Sequence, residues 1–222
     1  MHARTAPPRP RLRGRIHQVA FFVSIPAGVA LVLLASGPVA TIVAAIYAVS
    51  LSALFASSAA YHLGRWSEPA RRWMKSLDHS LIFVLIAASY TPVCVLVLHG
   101  PWEAVLLSIA WSGAVVGITL KLAKPDGLRV PGAVLYITLG WLALVALPRL
   151  IREMTTAEVV LMVAGGVLYT IGAIILATRR PDPRPSTFGY HEVWHSFMVA
   201  AAACHYVLIV LVLTRPVDGL VT

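Results

Sequence analysis

The string His191-Glu192-Val193-Trp194-His195 sets two imidazoles at i and i+4. On a helix they stand one above the other, a spacing that one metal ion can bridge. The string also reads H-E-x-x-H, the pattern of zinc proteases, where the glutamate is the general base. Other residues of matching chemistry occur at the edges of apolar runs: Ser58 and His62 in Ser58-Ala-Ala-Tyr-His62, and Asp78 and His79 in Leu77-Asp78-His79. Three neutral imidazoles form a zinc site with a fourth position open to water. A metal there brings the pKa of that water to about 7, and a nearby carboxylate can hold the water and accept its proton. Asp78 is assigned that role. Ser58 is placed to donate to Asp78 or to a developing oxyanion.

The elements that must position these residues are membrane spans. Of 222 residues, 59% are hydrophobic and 12% charged, and the mean hydropathy is +0.81. A soluble domain averages about 45–50% apolar and about 25% charged. The net charge of +9 clusters beside the apolar runs, which points to anionic lipid; no aromatic-basic RNA motif is present, and nucleic acid is excluded as a partner. Cys94 and Cys204 fall inside apolar runs and read as packing residues without a disulfide. Residues 1–16 hold five arginines with Pro7, Pro8 and Pro10 and read as a short, disordered basic tail. The run from His17 to Gly37 exceeds the apolar core of about 7–15 residues in a signal peptide, so it reads as a retained first span. Six further spans of roughly 20 residues are predicted at 39–62, 76–98, 102–122, 131–149, 157–177 and 190–213, the third kinked at Pro92. Residues 17–222 then form one all-α, seven-helix membrane domain, with no internal repeat and no room for a soluble one.

Fifteen of the eighteen Lys and Arg lie in the tail and the second, fourth and sixth loops; Arg149, Arg152 and Arg215 lie on the other side. The positive-inside rule puts the N-terminus in the cytoplasm and the C-terminus outside. Span two therefore ends, and spans three and seven begin, at the cytoplasmic face. His62, Asp78, His191 and His195 converge there within a turn or two of depth, and Ser58 lies one turn below His62 on the same face. Ionisable residues inside spans are costly and mark function.

At these residues the chain resembles the hemolysin III family, which belongs with the progestin and adipoQ receptors and is distantly similar to alkaline ceramidases. The resemblance rests on Ser58-x-x-x-His62, Leu77-Asp78-His79, Ser89-Tyr90-Thr91-Pro92 and His191-x-x-x-His195 followed by Ala203-Cys204-His205, and covers spans one to seven. It implies a seven-helix fold in the plasma membrane (the inner membrane in a bacterium) with zinc near the cytoplasmic face. The ligands it carries over by position are His62, His191 and His195, with Asp78 near the metal-held water and Ser58 as its neighbour. Ala87-Ala88-Ser89 stands where the family often has a glycine before Tyr90, which bears on packing in span three. The family slot of Glu192 is not always acidic, and Glu192 is read as facing headgroups or arginines, with Asp78 favoured as the base.

His79 reads as structural or as a partner behind the site. His205 lies about 15 Å further along span seven than His195, too deep to ligate, and reads as bonded to another helix or as lining a cavity. His2, His17 and His99, in the tail or at span edges, carry no signal. Trp66, Trp73, Trp102 and Trp194 read as an aromatic belt, and Gly165, Gly166 and Gly172 as close packing in span six. Three functions fit these residues. One is a zinc-dependent hydrolase of a lipid or other amphiphilic amide or ester. Another is a non-enzymatic sensor of membrane state, with structural zinc closed by Asp78. The third is a pore-forming cytolysin, for which the uniformly apolar spans offer no charged lining. Oligomeric state is not legible.

Overall fold

The computed structural model describes residues 10–124, 127 and 129–215. Within lipid each backbone N–H and C=O must be satisfied inside the chain, and an α-helix does this locally. The apolar runs accordingly form α1 (Arg15–Leu34), α2 (Pro38–Leu63), α3 (Glu68–Val97), α4 (Pro101–Ala123), α5 (Arg129–Gly140), a 3-10 segment (Leu142–Ala146), α6 (Leu147–Glu153), α7 (Thr156–Thr178) and α8 (Tyr190–Leu213). Seven spans result among the described residues, α5 and α6 together making the fifth. The starts are written locally: Pro38 and Pro101 sit in the first turn of their helices, where a missing N–H costs nothing. Thr155 and Glu158 form a reciprocal capping box on α7, satisfying two otherwise orphaned donors.

Span five departs from the single helix expected over 131–149. It breaks after Gly140 and runs on to Glu153, so Arg149 and Arg152 belong to α6 and not to a loop. A break at membrane depth frees backbone groups, and such groups must find partners within the protein. Tyr90 of α3 supplies them: its hydroxyl donates to the Leu139 carbonyl at 3.0 Å and accepts from the Ala143 N–H at 3.0 Å. Trp141, at the break, donates to Thr170 Oγ1 of α7 at 3.0 Å. Helix α3 itself runs as one helix through Pro92.

Successive helices pack side by side, α1 on α2, α2 on α3, α3 on α4 and α7 on α8, while α1 and α8 meet to close the bundle. Helix α3, the most buried span, touches α2, α4, α5 and α8. One apolar cluster, with Phe83, Cys94, Leu139 and Leu150, fills the space between α3, α4 and span five. A second, with Tyr47, Leu51, Leu85 and Ile209, joins α1, α2, α3 and α8. Both Cys94 and Cys204 are free thiols. Close approach is carried by small residues: a Cβ on Gly117 would meet the Phe83 ring at 2.5 Å. Val19, Phe22, Leu33 and Val49 stay exposed, which in lipid is their apolar solvent. Alternation of direction brings the start of α1, the end of α2 and the starts of α3 and α8 to one end of the bundle.

Candidate metal centre

At that end His62, in the last turn of α2, meets His191 and His195 on the first two turns of α8. One ring nitrogen from each lies within 4.8 Å of the other two, and the Nε2 atoms of His62 and His191 are 3.2 Å apart. His191 and His195 share a face, their ring centroids 4.5 Å apart. The nitrogens thus converge although they come from helices 129 residues apart in sequence. His195 is 1% exposed, and its Nε2 has no hydrogen-bond partner among the described residues. A buried polar atom without a partner is costly, and a shared ion would satisfy this one. The three side chains fit a metal ion on donor type, convergence and this orphaned nitrogen.

A cavity of about 310 Å³ adjoins the cluster, lined by Arg13, Tyr61, His62, Arg71, Asp78, His79, His191 and Trp194. Asp78, buried on α3, therefore faces the same space as two of the histidines, and Ser58 is buried on α2 one turn before His62. His79 lines the cavity beside Asp78, and its backbone carbonyl accepts from the Tyr136 hydroxyl at 3.5 Å. His205 stands apart: its Nε2 is 3.4 Å from the Met162 carbonyl of α7. Gly165 makes room for it, since a Cβ there would lie 2.3 Å from that Nε2. Gly172 likewise admits Trp194 and Phe197 against α7.

Glu192 is 1% exposed, and both its oxygens are engaged. Oε1 accepts from Arg13 Nε at 2.5 Å, and Oε2 from the Gly189 N–H at 2.9 Å. It caps α8 and neutralises an arginine of the N-terminal segment. The glutamate of the H-E-x-x-H string is therefore occupied with starting the helix. Asp182 strengthens the same end by accepting from the Tyr190 N–H at 2.9 Å, a carboxylate at the positive end of a helix dipole.

Three expectations need correction here. His17 is no bystander: it is 3% exposed and stacks on His195, the ring centroids 3.8 Å apart and the planes within 3°. Trp194 is no belt residue: it is 8% exposed, lines the cavity, and meets His191 and His195 edge-on at 4.9 and 4.7 Å. Trp66, Trp73 and Trp102 are exposed, and so is His99. Nor is the described part of the tail loose. Arg11 and Leu12 donate backbone hydrogen bonds to the Ser186 and Thr187 carbonyls. Gly14, at φ +82, presses so close to α2 that a Cβ would meet His62 Cβ at 2.7 Å. Residues 1–9, with His2, Arg4 and Arg9, lie outside the described residues. His17 had a signal. It sits one turn inside a span that starts at the same end as α8, so the topology that gathers His62 and His191 gathers it too.

A closed bundle of seven spans with three convergent histidines at one end defines a multi-pass membrane protein with a candidate metal site. The chain belongs to the haemolysin-III related family, which matches residues 6–206. It is 33% identical over 190 residues to Hemolysin-3 of Bacillus cereus, covering 84% of each chain. It is 31% identical over 193 residues to the Hemolysin-3 homolog of Bacillus subtilis, covering 86% of this chain and 87% of that one. Monocyte to macrophage differentiation factor of Homo sapiens is similar too, 27% identical over 169 residues, 74% of this chain and 68% of that one. With seven spans and these bacterial relatives, the chain is a multi-pass protein of the plasma or inner membrane.

Proposed function

We propose that this chain is a zinc-dependent hydrolase of a lipid or other amphiphilic amide or ester, with His62, His191 and His195 holding the metal at the cytoplasmic face. The observation that carries it is the pairing of three convergent imidazole nitrogens with a cavity that Asp78 also lines. Bound there, zinc supplies a Lewis acid and an activated water near neutral pH. Asp78 is the proton acceptor, and the Ser58 hydroxyl orients its carboxylate. Trp194 walls the space between the histidines and the neighbouring helix, keeping bulk water out. At about 310 Å³ the cavity is at the small end of the range of about 300–1,000 Å³ for ligand sites. It suits the carbonyl segment of an amphiphile whose chains stay between helices.

The test is metal content of detergent-purified protein by elemental mass spectrometry, followed by turnover of lipid amides and esters. Wild type carries one zinc per chain, His62→Ala and His195→Ala lose it, and Asp78→Asn keeps it while turnover falls on the order of 10²–10⁴-fold. Wild type without zinc after zinc is supplied, or Asp78→Asn with full turnover, would overturn the reading. A second reading rests on the same shared cavity: Asp78 closes the metal as a fourth ligand, and zinc locks α2, α3 and α8 in a non-enzymatic sensor. X-ray absorption separates the two, because direct ligation puts a carboxylate oxygen at about 2.0–2.2 Å. The name of the Bacillus relatives raises lysis as a third reading, which ion flux in liposomes tests against His195→Ala.

A further inference from the structure

His17 is a buried histidine that the resemblance does not assign and the proposed chemistry does not use. Neither of its ring nitrogens has a hydrogen-bond partner among the described residues, so hydrogen bonding to the protein does not explain its place. What the fold gives it is contact through the ring. Phe55 of α2 lies tilted against it at 5.2 Å, and His195 lies parallel to it at 3.8 Å. The same geometry argues against ligation. Lone pairs of an imidazole lie in the ring plane, and two stacked rings with centroids 3.8 Å apart and planes within 3° lie in separate parallel planes that cannot both contain one ion.

We infer that His17 is a positioning residue of the metal site, whose ring, held between Phe55 and His195, fixes the plane in which His195 presents its nitrogen. This rests on the proposed metal-holding role of His195. Two features of the same segment support it. Arg13, one turn before His17, is tied to Glu192 on the first turn of α8, and Gly14 packs on His62. The start of α1 thus touches the site at His62, Glu192 and His195, and His17 delivers that grip to a ligand. Groups behind metal ligands orient them, and their loss typically costs about 10–100-fold in affinity; here the orienting contact is an aromatic face.

The test compares wild type, His17→Leu and His17→Phe as full chains in detergent. Zinc affinity is read by chelator competition, the ligand field by the absorption of bound Co²⁺, and the His195 ring protons by NMR of the metal-free protein. Leucine fills the space without a ring face; phenylalanine keeps the face and removes the nitrogens. The expected result is zinc binding weakened about 10–100-fold with a shifted Co²⁺ spectrum in His17→Leu, and both restored in His17→Phe. Unchanged affinity and spectrum in His17→Leu would overturn the inference. So would loss of metal in both variants, which would make His17 a ligand. If wild type binds no metal, the proposed function fails by itself, and the NMR arm decides the stacking. His195 ring protons shifted upfield in wild type and His17→Phe but not in His17→Leu uphold the positioning; equal shifts in all three overturn it.

Discussion

Single residues at this site are held by contacts that leave little tolerance, and Gly14 shows it most sharply. Its φ of +82 disfavours any side chain, and a Cβ would strike His62 Cβ at 2.7 Å, an atom fixed to the α2 backbone. Gly14→Ala therefore combines roughly 1–2 kcal/mol of left-handed backbone strain with displacement of a metal-site histidine. Gly37 is the control, with φ +84 and nothing within 4 Å of its Cβ. Both variants melt earlier, but metal uptake falls in Gly14→Ala alone; equal uptake would show that His62 tolerates the shift. Glu192→Gln weakens the bond from Arg13 and loses about 1.5–3 kcal/mol, as for hydrogen bonds to charged groups. Thermal melting shows the loss, while metal content stays at the wild-type level because Glu192 holds no metal. At this scale His62, Asp78, His191 and His195 were legible from residue type plus topology. His17 and Trp194 were not, because each stands at a span edge, where residue type alone says nothing of what the topology sets beside it.

Among the elements, the bundle tolerates a broken span because one side chain repairs it. Tyr90 both donates to the Leu139 carbonyl and accepts from the Ala143 N–H. Tyr90→Phe strands both groups away from water, where each buried unsatisfied group costs about 1–3 kcal/mol. The variant is expected to lose stability in detergent melting and to exchange amide hydrogens faster around 139–143, with metal content unchanged. An unchanged melting point would mean that α5 and α6 are held by packing alone. Seven apolar runs are plain in the sequence, since their length and composition follow directly from bilayer thickness. The break in span five is not, because a 3-10 segment inside a uniformly apolar run alters no hydropathy signal. Gly140 and Pro148 flank it, and only beside the waiting Tyr90 hydroxyl does their spacing acquire meaning.

For the molecule as a whole, the proposed orientation puts the histidine cluster and the α7–α8 loop in the cytoplasm. Pro183 in that loop and His99 between α3 and α4 are both exposed and at opposite ends of the bundle. An impermeant maleimide on intact cells is expected to label His99→Cys and to label Pro183→Cys only after the membrane is opened; the reverse pattern would invert the topology. The count of basic residues is what argues for this orientation, since fifteen of eighteen lie in the tail and the second, fourth and sixth loops. Composition alone was a poor guide to the tail. Pro10 to Gly14 look like a solvated basic stretch, yet this segment docks on a loop that lies 175 residues later in the sequence.

That docking has a consequence for biosynthesis. Arg13 and Glu192 are 179 residues apart, so the segment before α1 gains this ion pair only after α8 has been made. A chain arrested before α8 carries one of the three histidines, with His17 lacking its stacking partner and Gly14 packed against an incomplete centre. On the proposed metal-holding role of these histidines, capture waits until α8 has been delivered to the bilayer. An ion held as proposed would join α2 to α8 and act as a seal on insertion of the spans between them.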